Sequence, residues 1–85
     1  MIVQLALFGA FRDLHREPTL LLEVSGDTVS AVRASFAAHL LGQGHAERSA
    51  LIRASAFASD QALLHDTEAI PADGRLAILP PVSGG

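Results

Sequence analysis

Residues 28–40 read TVSAVRASFAAHL, and the helix they predict is the element around which the rest of the chain must be arranged. Apolar side chains recur here at spacings of three, four and four residues, which places them in one stripe along a helix: Val29, Val32, Phe36 and Leu40. The hydroxyl of Thr28 can accept a hydrogen bond from an unpaired N–H group of the first turn. Gly42 and Gly44 are typical of a helix end. The sequence therefore predicts a helix that begins after Thr28 and ends near Gly42.

Two apolar segments precede this helix. Residues 2–11, IVQLALFGAF, are nearly all apolar, which is typical of a central strand buried on both faces. The periodicity of so short a run is equally compatible with a buried helix. Residues 12–18 are polar and turn-like, and residues 19–24, TLLLEV, predict a second strand. The short link between the two segments favours an antiparallel hairpin.

The chain after the helix predicts shorter elements. Residues 45–49 have the composition of a loop. Residues 51–58 are expected to include a strand, although their several alanines are unusual in one. Residues 62–64 form a short apolar piece, and residues 67–71 are long enough for one helical turn.

The last predicted strand, residues 75–79, follows a turn at Asp73-Gly74 and ends at Pro80, which cannot donate to a strand ladder. If the first and last strands lie side by side and parallel, the main helix supplies the crossover between them. The expected fold is α+β: a β-grasp (ubiquitin-like) mixed sheet with one main helix packed across it and a flexible C-terminal Gly-Gly tail. We expect one β-grasp domain at residues 1–79 and an extended tail at residues 80–85.

Composition excludes several classes of function. The net charge of the 85 residues is −3, and the six basic residues are scattered arginines, so the basic stripe of a nucleic-acid-binding protein is missing. With no Cys, the chain has no disulfide, thiolate metal site or cysteine nucleophile. No apolar run approaches the roughly 18 residues of a membrane span, and the first residues lack the basic region of a signal peptide. We expect a cytoplasmic protein without nucleic-acid or membrane partners.

The polar residues do not predict a catalytic or metal site. Four histidines lie far apart in the sequence: His15, His39, His45 and His65. No H-x-x-x-H pair is present, and no Cys could complete a zinc site. The serines occur without a G-x-S-x-G motif, and there is no P-loop to hold nucleotide phosphates. The body of the protein therefore has the character of a scaffold, with no metal and no bound cofactor expected.

The C-terminal residues 79–85, LPPVSGG, carry a distinct chemical signal. Pro80 and Pro81 favour an extended exit from the last strand, and six residues from Pro80 onward span about 20 Å. Gly84 and Gly85 lack Cβ atoms, so they can enter a narrow channel and bring a carboxylate against another protein. Once adenylated, that carboxylate accepts a nucleophile, and attack by sulfide or a persulfide leads to a thiocarboxylate. The chain has neither Cys nor Lys to intercept the activated group.

The sequence resembles the MoaD/ThiS family of β-grasp sulfur carriers over its full length, and is closest to the small subunit of molybdopterin synthase. The resemblance lies in FGAFRDL at residues 8–14, in Thr28-Val29, in Ala72-Asp73-Gly74 and above all in the ending LPPVSGG. It implies that an E1-like enzyme adenylates the C-terminal glycine with ATP and that a sulfurtransferase supplies sulfur. The charged carrier then docks on the large synthase subunit, where the sulfur passes to precursor Z.

The resemblance also implies site residues. Gly85 is expected to carry the acyl-adenylate and the thiocarboxylate, in a tail that contains Pro80, Pro81, Val82, Ser83 and Gly84. Phe8, Leu63 and Leu79 are expected on the apolar face that docks on the partner. Leu63 and Leu79 are equally compatible with ordinary core positions. The protein is expected to be a non-catalytic subunit of the synthase complex.

Two positions depart from the family pattern. Ala58-Ser59-Asp60 stands where Val-Asn is frequent, and Arg75 stands where an acidic residue is usual. A changed charge at the docking face leaves other sulfur pathways open, such as those of thiamine, cysteine or tRNA. A ubiquitin-like modifier, or an interaction module with an inert tail, also stays open.

Overall fold

The computed structural model describes residues 1–81, which contain a sheet, two α-helices and two 3-10 helices. The strands are β1 Ile2–Leu7, β2 Thr19–Glu23, β3 Ala56–Ala58, β4 Leu63–Leu64 and β5 Arg75–Leu79. The α-helices are α1 Val29–Gly42 and α2 Ser49–Ala54, and the 3-10 helices are Gly9–Leu14 and Ala46–Arg48. The predicted tail residues outside the described part of the chain are Val82, Ser83, Gly84 and Gly85.

The strands form one mixed sheet in the order β2-β1-β5-β3-β4. β1 is antiparallel to β2 and parallel to β5, so that Leu5 lies opposite both Leu20 and Leu76. β3 is antiparallel to β5 and to β4. Because β1 and β5 are parallel neighbours, the chain between them must cross the sheet, and α1 lies on that path. The predicted β-grasp fold is confirmed.

Helix α1 has the predicted bounds and the predicted cap. The Oγ1 atom of Thr28 accepts a hydrogen bond from the N–H of Ala31 at 3.4 Å. The helix ends at Gly42, and Gly44 adopts a φ of +85°, a conformation that side chains with a Cβ rarely adopt. Within residues 1–81, no helix is long and apolar enough to cross a membrane.

The core lies between α1 and one face of the sheet. All four residues of the predicted helix stripe are buried, and they pack with alternate residues of the strands, such as Leu5, Phe57 and Ile78. The rings of Phe11 and Phe36 meet edge to face, with centroids 5.4 Å apart. Each strand therefore buries one face against α1 and leaves the other face open, even where the residues of both faces are apolar.

The first strand is shorter than predicted. β1 ends at Leu7, and Gly9 begins a 3-10 helix with a φ of +56°. This left-handed residue turns the chain out of the sheet and returns Phe11 to the core, where its side chain is fully buried. Hydropathy alone did not reveal the change, because residues on both sides of the turn are apolar.

Two further predictions after α1 are wrong. Residues 45–49, expected as a loop, contain the second 3-10 helix and the first residue of α2. The strand expected within residues 51–58 is present as β3, and residues 51–54 before it belong to α2, which buries Ile52. Residues 67–71 form no helical turn. Their backbone instead bonds to the start of α1: Val29 N–H donates to the Glu68 carbonyl at 2.9 Å, and Ile70 N–H donates to the Asp27 carbonyl at 2.8 Å.

Arg33 of α1 links the helix to the segment around β3. Its Nη1 atom donates to the carbonyl oxygens of Ile52 and Ser55, at 2.6 and 2.8 Å. Its Nε and Nη2 atoms donate to the two carboxylate oxygens of Asp66, at 3.1 and 2.8 Å. The guanidinium also lies 4.9 Å from the centroid of the Phe57 ring. One side chain thus bonds both to the end of α2 and to the loop after β4.

Candidate functional site

The sheet face opposite α1 is open, and its centre is built from small residues. Side chains alternate between the two faces of a strand, and the core residues of β1, β3 and β5, such as Leu5, Phe57 and Ile78, lie on the face toward α1. Ala6, Ala58 and Ala77 therefore point away from the helix. The register places Ala77 between the other two, in one row across three strands. We call the surface made by these three alanines and their exposed neighbours the open face.

A shallow groove of about 200 Å³ follows this alanine row. The three alanines form its floor, and Phe8 stands at one end with 49% of its surface exposed. Asp60 and Arg75 lie on its rim. Because the floor is apolar and the two rim charges have opposite sign, the groove suits a small apolar side chain flanked by polar groups of a partner.

Of the predicted docking residues, Phe8 and Leu63 are exposed on the open face. Leu63 is 67% exposed and lies opposite Ala58, which lines the groove. Leu79 is partly buried and lies opposite Ala56, one row away from the alanine row. The structure therefore brings the three positions to one face, with Phe8 in the groove and the two leucines beside it.

Two features of the site were not predicted. Nothing in the sequence marks Ala6 and Ala77, and Ala58 stands out only as a departure from the family pattern, because small side chains in an apolar run give no signal for an open face. In the sequence, Asp60 and Arg75 are two separate departures from a family pattern. The antiparallel pairing of β3 with β5 brings them to the rim of the same groove.

The C-terminal segment leaves the sheet beside this face. Pro80 directly follows β5 and is partly buried, and Pro81 is exposed. Gly9 lies against the ring of Pro80: a Cβ atom on Gly9 would be 2.7 Å from Cγ of Pro80. The described part of the tail thus begins at the end of the sheet where β1 also ends.

The remaining polar groups do not form a second site within residues 1–81. No three His, Asp or Glu residues in this part of the chain come close enough to hold a metal ion. The α-amino group of Met1 donates to the Val24 carbonyl at 2.8 Å. It is the only amine that the sequence provides, since the chain has no Lys.

The described residues thus combine a β-grasp sheet, an open apolar face and a Pro-Pro segment after the last strand. Residues 5–85 match the sequence model of the ThiS family. This match spans nearly the whole chain, and the protein belongs to the ThiS family. Small sulfur carriers of this kind are generally non-catalytic and work with E1-like adenylating enzymes.

A solved structure supports the fold assignment. The protein is similar to the crystal structure of SAMP1 from Haloferax volcanii, with a TM-score of 0.71 and 24% sequence identity. The similarity covers 100% of both chains. At this identity the likeness establishes the shared fold. No curated protein sequence matches the chain.

Proposed function

We propose that this protein is the small subunit of molybdopterin synthase and carries sulfur as a thiocarboxylate on Gly85. The observation that carries the proposal is the segment LPPVSGG, which lies inside the family match and begins with Leu79, the last residue of the central strand β5. The thiocarboxylate delivers sulfur to precursor Z, where it becomes part of the molybdopterin dithiolene.

The proposed charging takes place in two steps. The Gly85 carboxylate attacks the α-phosphate of ATP on an E1-like enzyme, giving the acyl-adenylate and pyrophosphate. Hydrosulfide then attacks the acyl carbon and forms the C–S bond. The acyl C–O bond to the phosphate breaks, AMP leaves with that oxygen and its electron pair, and one proton is released as the thiocarboxylate forms. If a sulfurtransferase persulfide attacks instead, the product is an acyl disulfide, and a thiol must reduce it to release the thiocarboxylate. The protein itself binds no cofactor in this scheme, and ATP is consumed by the activating enzyme.

The composition of the chain protects the activated group. A thiol or an ε-amine near the acyl-adenylate would capture it, and the chain has neither Cys nor Lys. The one amine, on Met1, is hydrogen-bonded to the Val24 carbonyl. Sulfur therefore has to come from outside the chain, in agreement with a carrier that works between a sulfur donor and an acceptor enzyme in the cytoplasm.

The open face is the proposed docking surface for the large synthase subunit. Phe8 and Leu63 present exposed apolar area there, and Leu79 lies beside them. Aromatic and aliphatic anchors of this kind provide much of the binding energy when they fill a partner's pockets. Docking on this face brings the segment that starts at Pro80 to the partner, so that Pro81, Val82, Ser83 and Gly84 can lead Gly85 into the active site.

A carrier for another sulfur pathway is the second candidate. Asp60 and Arg75, both departures from the family pattern, share the rim of the groove, where they would select the charge of the partner. The acceptor would then be an enzyme of thiamine, cysteine or tRNA sulfur chemistry, or a protein that becomes modified. The charging chemistry of Gly85 is common to all of these.

Intact mass spectrometry tests the charging step. The protein is incubated with host extract, ATP and a sulfur donor, beside a variant that lacks Gly85. We expect a mass gain equal to the replacement of one oxygen by one sulfur, which requires ATP and is absent from the variant. An unchanged mass, in an extract that charges a known carrier, would show that the tail is inert.

A second assay separates the two candidate acceptors. The purified thiocarboxylate form is mixed with the large synthase subunit and precursor Z, and dithiolene product is measured. Product formation supports the molybdopterin assignment. A charged protein that yields no product, while a known small subunit does, would assign the carrier to another pathway.

A further inference from the structure

We propose that Gly9 is a positioning residue for the C-terminal segment: its bare Cα lets the Pro80 ring pack against the corner after β1, and this contact sets the direction in which the segment leaves the sheet. The inference rests on the proposed function, in which the segment that starts at Pro80 carries the sulfur. The role is assigned to Gly9, which lies outside that segment.

The contact leaves no room for a side chain. Gly9 has a φ of +56°, and a Cβ atom there would lie 2.7 Å from Cγ and 3.6 Å from Cδ of Pro80. Real Cβ atoms do not approach other carbons as closely as the first of these distances. The Pro80 ring cannot rotate away as a long side chain would, because it is closed onto its own backbone nitrogen. A methyl group at position 9 therefore forces the Pro80 ring, or the backbone on one side of the contact, to shift.

Both sides of the contact are anchored in the fold. Gly9 lies between Leu7, the last residue of β1, and Phe11, whose ring is fully buried. Pro80 follows β5, in which Ile78 is fully buried and pairs with Leu7. Since β1 and β5 are parallel, both chains leave the sheet at the same end. Pro80 has no N–H group that could donate a further hydrogen bond to the neighbouring strand. Its position is therefore held by packing of its ring on Gly9.

A fixed exit direction has a functional consequence. The activating enzyme must capture the terminal carboxylate, and a segment already directed toward it loses less conformational freedom on binding. If only a fraction of molecules presents the segment productively, the apparent affinity falls in proportion to that fraction. The contact should therefore affect the KM of charging more than its kcat.

The test compares Gly9→Ala with Gly44→Ala. Gly44 also has a positive φ, of +85°, but no atom lies within 4 Å of a Cβ placed there. The two substitutions thus introduce the same kind of backbone strain, and only the first disturbs Pro80. We expect the KM for ATP-dependent charging to rise on the order of threefold to tenfold in Gly9→Ala, with little change in kcat. The Gly44→Ala variant should charge like the wild type. Equal charging by both variants would overturn the proposal.

A double-mutant cycle with Pro80→Ala provides an independent test. Pro80→Ala removes the Cγ atom that the new methyl group would meet, so Gly9→Ala should cost less in this background. Pro80→Ala alone also removes the contact between the ring and Gly9 and leaves Gly9 unchanged. This single variant therefore tests the proposal even if Gly9→Ala fails to fold. An undiminished effect of Gly9→Ala in the Pro80→Ala background would show that Gly9 does not act through Pro80.

A nuclear Overhauser effect between the Gly9 Hα and Pro80 Hγ protons separates this inference from the proposed function. It should be present in the wild type and in Gly44→Ala. If it is present and no charging occurs in the wild type, the proposed function fails while the contact stands. Absence of this effect in a charging-competent wild type would refute the positioning role alone.

Discussion

Arg33 and Asp66 form a bidentate ion pair between α1 and the loop after β4, with Nε–Oδ2 and Nη2–Oδ1 distances of 3.1 and 2.8 Å. The two side chains differ in exposure: the Arg33 side chain is 19% exposed and that of Asp66 is 48% exposed. Arg33 also donates to the carbonyl oxygens of Ile52 and Ser55, so the pair is one part of a larger set of bonds made by a single guanidinium.

Arg33→Ala should therefore destabilise the protein much more than Asp66→Asn does. Loss of Arg33 removes the guanidinium donor from the Ser55 carbonyl and one of the two donors from the Ile52 carbonyl, which still accepts from the Ser55 N–H. We expect a loss of about 2–4 kcal/mol in the free energy of unfolding, because bonds to a charged group are lost at a part-buried site. Asp66→Asn removes a half-exposed charge and should cost about 0.5–1 kcal/mol. Urea denaturation measures both values. Arg53→Ala, at an exposed position of α2, serves as control and should change stability by less than about 0.5 kcal/mol. Equal losses in the Arg33 and Asp66 variants would contradict this account.

Substitution of the open-face residues should weaken docking without unfolding the protein. Phe8→Ala and Leu63→Ala each remove exposed apolar area, and we expect each to weaken binding to the large subunit by about 1–2 kcal/mol, roughly tenfold. Isothermal titration calorimetry measures the affinity. Leu41→Ala is the matched control, because Leu41 is 62% exposed but lies on α1, away from the open face. A comparable loss in the Leu41 variant would mean that the docking surface lies elsewhere.

A larger side chain on the groove floor should block docking. Ala77→Leu places three additional carbon atoms in a groove of about 200 Å³, on a face that does not contact α1. We expect at least about a tenfold loss of affinity for the large subunit, because overpacked contacts cost about 1–3 kcal/mol. Stability should stay near that of the wild type. Ala38→Leu, at an exposed site on α1, should leave both properties unchanged. Normal binding by Ala77→Leu would exclude the groove from the interface.

The cap of α1 provides a stability prediction that is independent of function. Thr28→Ala removes the oxygen that accepts from the Ala31 N–H, and should cost about 0.5–1 kcal/mol. The value is at the low end of the usual range because the distance is long, at 3.4 Å. Thr28→Ser keeps the hydroxyl and should retain most of the stability. If thermal unfolding shows equal losses in both variants, the methyl group of Thr28 and not its hydroxyl stabilises the helix start.

The bounds of α1 were predictable because they depend on short-range rules, whereas the parallel pairing of β1 with β5 entered the prediction only as a condition, with the helix as the crossover. The stripe Val29, Val32, Phe36 and Leu40, with Thr28 before it and Gly42 after it, is readable from spacing and capping alone. The turn at Asp73-Gly74 also formed as predicted, with Gly74 at a φ of +69°. The family resemblance rests on the ending LPPVSGG, which is likewise local.

Other elements depended on partners distant in sequence. The segment near Ala69 is extended because its backbone bonds to residues at the start of α1. β1 ends at Leu7 because Gly9 adopts a left-handed conformation, which an apolar run does not reveal. Residues 49–54 form α2 ahead of the predicted strand β3, because alanine and the unbranched residues of this segment favour a helix.

The sequence by itself determined the helix, the strands that precede and follow it and the glycine pair on which the proposed function rests, because periodicity, capping and composition act within a few residues. Only the tertiary structure decided the open face and its groove. Strand register brings Ala6, Ala58 and Ala77 into one row and places Asp60 near Arg75. The parallel pairing of β1 with β5 likewise brings Gly9 to Pro80. Such juxtapositions follow from pairing between distant segments, which no local pattern encodes.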